Sequence, residues 1–149
     1  MRALESAIKR ALVLRLEKGE EVVNSIERAC IEHGINAGLV FGIGALSECT
    51  LYASASANHL EPNALELKEP LEIASASGNI TLKEGKPYLH LHATLGRADH
   101  LALAGHLKRG VISLTGEFFI LESAGPLLRK RDESLKMDLI DLNLQNTKV

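Results

Sequence analysis

Tyr88-Leu-His-Leu-His-Ala-Thr-Leu95 alternates without a break: Leu89, Leu91, Ala93 and Leu95 fall on one phase, Tyr88, His90, His92 and Thr94 on the other. Side chains of a strand change face at every residue. The stretch therefore predicts a half-buried strand with leucines inward and both imidazoles projecting together, their Cα atoms roughly 6.5–7 Å apart. That spacing suits two ligands of one metal ion. The apolar face has its own leucines to pack, so the histidines are not needed as filler. Ala104-Gly-His-Leu107 follows a loop that could carry His106 beside them. Four of the six histidines, His90, His92, His100 and His106, lie in this short region, which marks it as the place to look for function.

Other strands surround this one. Ala11-Leu-Val-Leu-Arg-Leu16 reads as a first strand, and Lys18-Gly-Glu-Glu21 turns into a helix whose Val22, Ile26, Ala29, Cys30 and His33 form one stripe. Glu20 and Glu21 suit its positive end, and Gly34 is a natural stop. On that stripe Cys30 reads as a small buried apolar residue rather than a nucleophile, and His33 as a partly exposed last-turn residue. Ala37 to Leu46 is apolar on both phases, hence a strand covered on both sides. Its Gly42-Ile-Gly44 lacks the third glycine of a dinucleotide fingerprint and the Gly-Lys-Ser/Thr ending of a phosphate loop. A bulge or the close approach of another backbone is the better reading. Thr50 to Ala57 is a further half-buried strand, Pro62-Asn63 opens a loop, and Leu71–Ala76 with Gly78–Leu82 reads as a hairpin pair. Lys83-Glu-Gly-Lys-Pro87 is the turn before the histidine strand.

Val111 to Glu122 is the last long strand, with Ile112, Leu114, Gly116, Phe118 and Ile120 on one phase and Ser113, Thr115 and Glu117 on the other. If it shares a sheet with the histidine strand, Glu117 could lie on the histidine face. One confident helix among many strands predicts an α+β fold, a mostly antiparallel, mixed β-sheet with the helix packed on it. A length of 149 residues suits a single domain, with a core over about 11–122 and a C-terminal segment, 123–149, to which the pattern assigns no role.

Composition narrows the function classes. With five Phe and Tyr in all and no Trp, there are few rings on which unpaired bases could stack. A net charge of −2 argues against strong nonspecific affinity for DNA. Cys30 and Cys49 are too few for a disulfide framework or a cysteine zinc site. Met1-Arg-Ala-Leu-Glu-Ser6 lacks the apolar core of a signal peptide, and no segment approaches a membrane span, so a reducing cytoplasm is the expected compartment.

From about Val13 to Leu121 the chain resembles the plants-and-prokaryotes-conserved (PPC) domain family. The resemblance is carried by Arg15-Leu-Glu-Lys-Gly-Glu20, Gly42-Ile-Gly-Ala-Leu46, His90-Leu-His92, Gly105-His-Leu107 and Thr115-Gly-Glu117, in the family's order and spacing. It implies a compact α+β subunit assembling as a homotrimer, with residues matching His90, His92 and His106 forming a metal site in many prokaryotic members. The chain departs from the pattern at His100, where a glycine is common, and at Ala104, which replaces the first glycine before the histidine. The family's DNA-binding label derives from plant relatives in which the domain is joined to an AT-hook, an Arg-Gly-Arg core among basic residues; this sequence has none.

Three imidazoles suit zinc first among divalent metals, and also nickel, copper or iron, and three protein ligands leave a coordination position open. Glu117 is then the candidate fourth ligand, imidazole orienter or general base. Arg129-Lys130-Arg131 and Lys108-Arg109 are the candidate DNA contacts, each more simply a solvated surface element. Three readings follow: a homotrimeric metal-binding protein with a DNA-associated regulatory role, a small metal-dependent hydrolase or lyase acting on a small molecule at the metal, or an assembly module whose histidines only pack an interface.

Overall fold

The computed structural model describes residues 2–56 and 59–142, with the backbone alone for 54–56 and 59–62. Nine elements follow in order: β1 (Ile8–Glu17), α1 (Val22–His33), β2 (Gly38–Ser56), β3 (His59–Leu67), β4 (Leu71–Lys83), β5 (Lys86–Gly96), β6 (Ala102–Ser123), β7 (Arg129–Asp132) and β8 (Met137–Ile140). The first six strands form one sheet in the order β1-β6-β5-β4-β2-β3, every pairing antiparallel. An additional β6–β2 pairing joins β6, β5, β4 and β2 into a closed ring. The expected α+β architecture with one helix on a mostly antiparallel sheet is what is found.

The core fills the inside of this ring. Leu89, Leu91, Ala93 and Leu95 of β5 are all buried there, beside Phe118, Ile120, Ile73, Ile80 and Val40. Helix α1 contributes Val22, Ile26, Ala29 and Cys30 to the same core. The Glu21 carboxylate caps it, accepting from the backbone N–H groups of Val23 and Asn24, and it also accepts from Gly110 N of β6 at 2.9 Å. One side chain thus satisfies two orphan helix donors and ties the helix to the sheet. Gly34 ends the helix in the left-handed region, φ 67°, as a C-terminal glycine does.

Several boundaries differ from the sequence reading. The two strands expected at 37–46 and 50–57 are one continuous strand, β2, which turns its path at register shifts instead of at a loop. Gly42 and Gly44 flank one of these shifts against β4, and a Cβ on Gly44 would lie 2.6 Å from Thr115 O of β6; both the bulge and the close approach apply. Pro62 and Asn63 lie in β3, not in a loop, opposite Ser54 and Ala53; β3 is an edge strand, the kind of strand in which proline is tolerated. The pair expected at 71–76 and 78–82 is also a single strand, β4, because Gly78 sits in the ladder where β5 crosses closely, not in a turn. Chain reversal waits until Glu84 and Gly85, whose φ values of 54° and 78° make the two-residue turn matched to strand twist. Leu114 shares the apolar phase of its strand in the sequence, yet it is 71% exposed. Between Gly44↔Gly116 and Leu46↔Ile112, β6 carries more residues than β2, and the bulge turns Leu114 outward.

Gly78 generates a test. A Cβ there would collide with the His90 carbonyl oxygen and lie 2.9 Å from Leu91 Cα, so the neighbouring backbone must move. Gly78→Ala is expected to destabilise the fold by roughly 1–3 kcal/mol, the usual cost of overpacking a tight site. Urea denaturation checks this, and an unchanged midpoint would show that β5 does not need to pass so close.

Candidate metal centre

The three histidines come together through strand register. His92 of β5 stands directly opposite His106 of β6, and His106 in turn stands opposite Tyr52 of β2. His90, two residues back along β5, projects on the same face as His92, opposite Asn79 of β4. The ring centroids are 5.0 Å apart for His90 and His106, 5.1 Å for His90 and His92, and 5.5 Å for His92 and His106. One nitrogen from each ring lies within 4.8 Å of the others, and the Nε2 atoms of His90 and His92 are 3.2 Å apart.

The donor set fits a metal ion. A tetrahedral zinc with Zn–N bonds of about 2.0–2.1 Å needs its nitrogens about 3.3 Å from one another, close to the observed His90–His92 separation. The electrostatics favour the neutral, ligating form of His90 and His106. Burial, aided by the neighbouring His90, His92 and Lys108, pushes His106 down to about 4. His90 is also lowered, first by burial and then by the charges of Arg129 and His92.

The cluster opens on a cleft of about 580 Å³ lined by Tyr52, Ala53, Tyr88, the three histidines, Gly105, Arg129, Lys136, Met137 and Asp138. The last four come from the β7–β8 hairpin, the segment to which the sequence pattern assigns no role. The hairpin is tied to the end of β4: Leu82 N donates to Leu127 O at 2.6 Å, and Lys83 Nζ pairs with Asp138 Oδ2 at 2.6 Å. Arg129, read from sequence as a solvated surface residue, is instead half-buried. Its Nε donates to Thr81 Oγ1 (2.9 Å), Nη2 to Asn79 Oδ1 (3.0 Å) and Nη1 to Asp138 O (2.7 Å). The guanidinium carbon lies 5.0 Å from the centroid of the Tyr88 ring, within cation–π range. Only the phase of Tyr88, shared with the histidines, hints at this in the sequence.

Other singled-out residues lie elsewhere. Glu117, expected on the histidine face, faces solvent on β6 but is not among the clustered ligand residues. It is exposed, in register with Ile43 and Arg15, and borders a groove with Phe41 and Phe119. It stands eleven positions beyond His106 along β6, up to about 36 Å of extended chain, and bulges intervene. His100 is exposed at the β5–β6 turn, with φ 64°, and is not among the clustered ligands. Arg109 pairs with Glu48 at 2.6 Å, and Arg131 with Asp138 at 3.9 Å. Of the five basic residues considered for DNA, Lys108 and Lys130 alone have no such pairing or hydrogen bond among the described residues. Burial raises the Cys30 thiol to about 12, with Glu27 adding to the effect, and the Cys49 thiol to about 11, with Glu69 adding. Both stay protonated and inert, as a buried apolar role requires.

Solved structures share this architecture. A metal-containing protein from Archaeoglobus fulgidus is 33% identical with a TM-score of 0.88, the alignment covering 95% of this chain and 99% of that one. A plant- and prokaryote-conserved protein from Pyrococcus horikoshii is 28% identical with a TM-score of 0.87, over 95% and 97% of the two chains. A candidate DNA-binding protein from Bacteroides thetaiotaomicron is 30% identical with a TM-score of 0.84, over 91% and 96%. Comparison with curated proteins finds no significant match. No helix among the described residues is long and apolar enough to cross a membrane. Residues 3–124 match the Plants and Prokaryotes Conserved (PCC) domain, the family also abbreviated PPC, and this chain belongs to it.

Proposed function

We propose that this protein is a homotrimer that holds a divalent metal ion, zinc foremost, through His90, His92 and His106. The observation that carries the reading is the convergence of three imidazole nitrogens, drawn from two strands, at the mouth of a cleft. The metal-containing relative from Archaeoglobus supports it. A bound ion would supply Lewis acidity beside the cleft. The chain's own part is to present two of its imidazoles with lowered proton affinity, hold them on paired strands, and keep the remaining approach open.

Assembly is supported by the outer face of the sheet. Val13, Phe119 and Phe41 form one cross-strand row over β1, β6 and β2, and Ala11, Leu121 and Leu39 form the next. Val13 is 61% exposed, Phe119 49% and Phe41 45%, and Ile43 and Leu114 extend the patch. A contiguous apolar surface of this kind marks an interface. Homotrimeric packing is what the family resemblance implies for it.

A DNA-associated role is the description carried by the Bacteroides relative. In this chain three of the five candidate contacts are committed to intramolecular partners, so neutralisation of several phosphates at once has little to draw on. The metal reading is therefore preferred.

Three outcomes are expected. Protein purified without an affinity tag should carry or take up one divalent ion per subunit by plasma emission spectrometry. His92→Ala should lose that stoichiometric binding while keeping its fold, because Leu89 and Leu91 supply the core contacts of β5; full occupancy in the variant would refute the three-histidine site. The second outcome follows from His106. Its folded value, about 4, lies below the ordinary 6.5, so between these the unfolded chain binds more protons than the folded one. The metal-free protein should lose thermal stability as pH falls from about 6.5 to about 4, and His106→Asn should flatten that slope. Third, light scattering should give a trimer mass at micromolar concentration, and Phe119→Glu should shift it toward monomer.

A further inference from the structure

Among the described residues, no carboxylate hydrogen-bonds to Arg129. Its three hydrogen bonds go to neutral acceptors, namely a hydroxyl, a side-chain amide oxygen and a backbone carbonyl. A guanidinium carries five N–H donors, so two are left over, on a group already half-withdrawn from water and pinned in place. Such an arrangement is costly unless something anionic completes it. The one acid among the described residues lining the cleft, Asp138, does not complete it: its carboxylate feels the Arg129 charge but pairs with Lys83 at 2.6 Å and Arg131 at 3.9 Å, and the hydrogen bond from Arg129 goes to its backbone oxygen. Lys136 lines the same cleft, so the charge left facing it is positive.

The rest of the lining is suited to carbon. Tyr52, Ala53, Tyr88 and Met137 add apolar surface to the lining that Arg129 shares with the histidine cluster. The volume, about 580 Å³, falls in the range that holds small molecules. Thr81 and Asn79 fix the guanidinium plane, and the Tyr88 ring backs it. A planar, preorganised fork of this kind matches a carboxylate in both shape and charge.

We propose that the cleft is a receptor for a small organic carboxylate, gripped by Arg129 at one end and directed at its other end toward His90, His92 and His106. The grip on the carboxylate stands on the geometry of Arg129 alone, while the ligand's second contact rests on the metal reading. The β7–β8 hairpin, which lies beyond the family match ending at residue 124, thereby acts as the wall that selects the ligand.

Calorimetric titration of the metal-loaded protein with malonate and with benzoate tests this, with benzamide as neutral comparator and inorganic phosphate as a non-carbon anion. Saturable binding of at least one carboxylate is expected, with benzamide and phosphate weaker. Arg129→Gln should raise the carboxylate Kd about ten- to a hundred-fold, the range expected for losing a charge-assisted hydrogen-bond pair. Arg129→Lys, which keeps the charge and loses the fork, should weaken binding less, and it decides the matter if circular dichroism shows that the glutamine variant has lost its fold. Equal affinity in a folded Arg129 variant, tighter binding of phosphate than of either carboxylate, or no carboxylate binding at millimolar concentration would overturn the proposal. The same titration on chelated protein separates the two readings. Arg129-dependent binding in a protein that takes up no metal would uphold the carboxylate receptor while the metal site fell.

Discussion

The ladder between β5 and β6 sets His92 opposite His106, and the rest of the site depends on that register. The buried leucines of β5 enforce it. With Leu91 and Leu95 fully enclosed and Leu89 and Ala93 nearly so, a slip of one residue would turn the whole apolar set to solvent and the imidazoles into the core. The same ladder continues on both sides. Asn79 of β4 stands beside His90, and Tyr52 of β2 stands beside His106, so the cleft wall is set by four strands in fixed mutual register.

That arrangement needs β6 to do several things along its length. Its first residues pair with β5, its middle with β2, and its last with β1 and β2 together. A regular strand of 22 residues could not serve all these partners, and the register shifts opposite Leu46 and between Thr50 and Leu51 are where it changes direction. The bulges separate two regions of the sheet. One end carries the histidines and the cleft. The other presents the apolar rows of Val13, Phe119 and Phe41, with Glu117 among them.

Charge is distributed in a way that keeps the site cationic while lowering the proton affinity of His90 and His106. Burial is the first cause of the low proton affinity of His106 and of His90, and Arg129 adds to it at His90. A cation held close to imidazoles discourages protons there, and the same cation attracts an anion to the cleft. Two of the three hairpin acids are paired away: Asp138 goes to Lys83, and Asp132 folds onto its own turn at Ser134 and Leu135.

Local patterns in the sequence were enough for much of this. Strict alternation in Tyr88–Leu95 revealed which side of β5 is buried and that His90 and His92 project together, because period-two exposure is a property of the strand itself. The stripe from Val22 to His33 and the glycine after it determined the helix and its end for the same local reason. Family resemblance then singled out His106 as the third of the set, and the cluster forms. The tertiary structure alone decided what depends on partners distant in sequence. Leu114 faces outward because bulges set against β2 reset the faces of β6, and Glu117 lies away from the histidines because it stands eleven positions further along that strand. Gly78 runs through a strand because β5 passes over it, and Arg129 leaves the surface for the cleft because Thr81, Asn79 and the hairpin hold it there. A residue's own neighbours carry the periodicity of its element; only closure of the ring determines which other strand it meets.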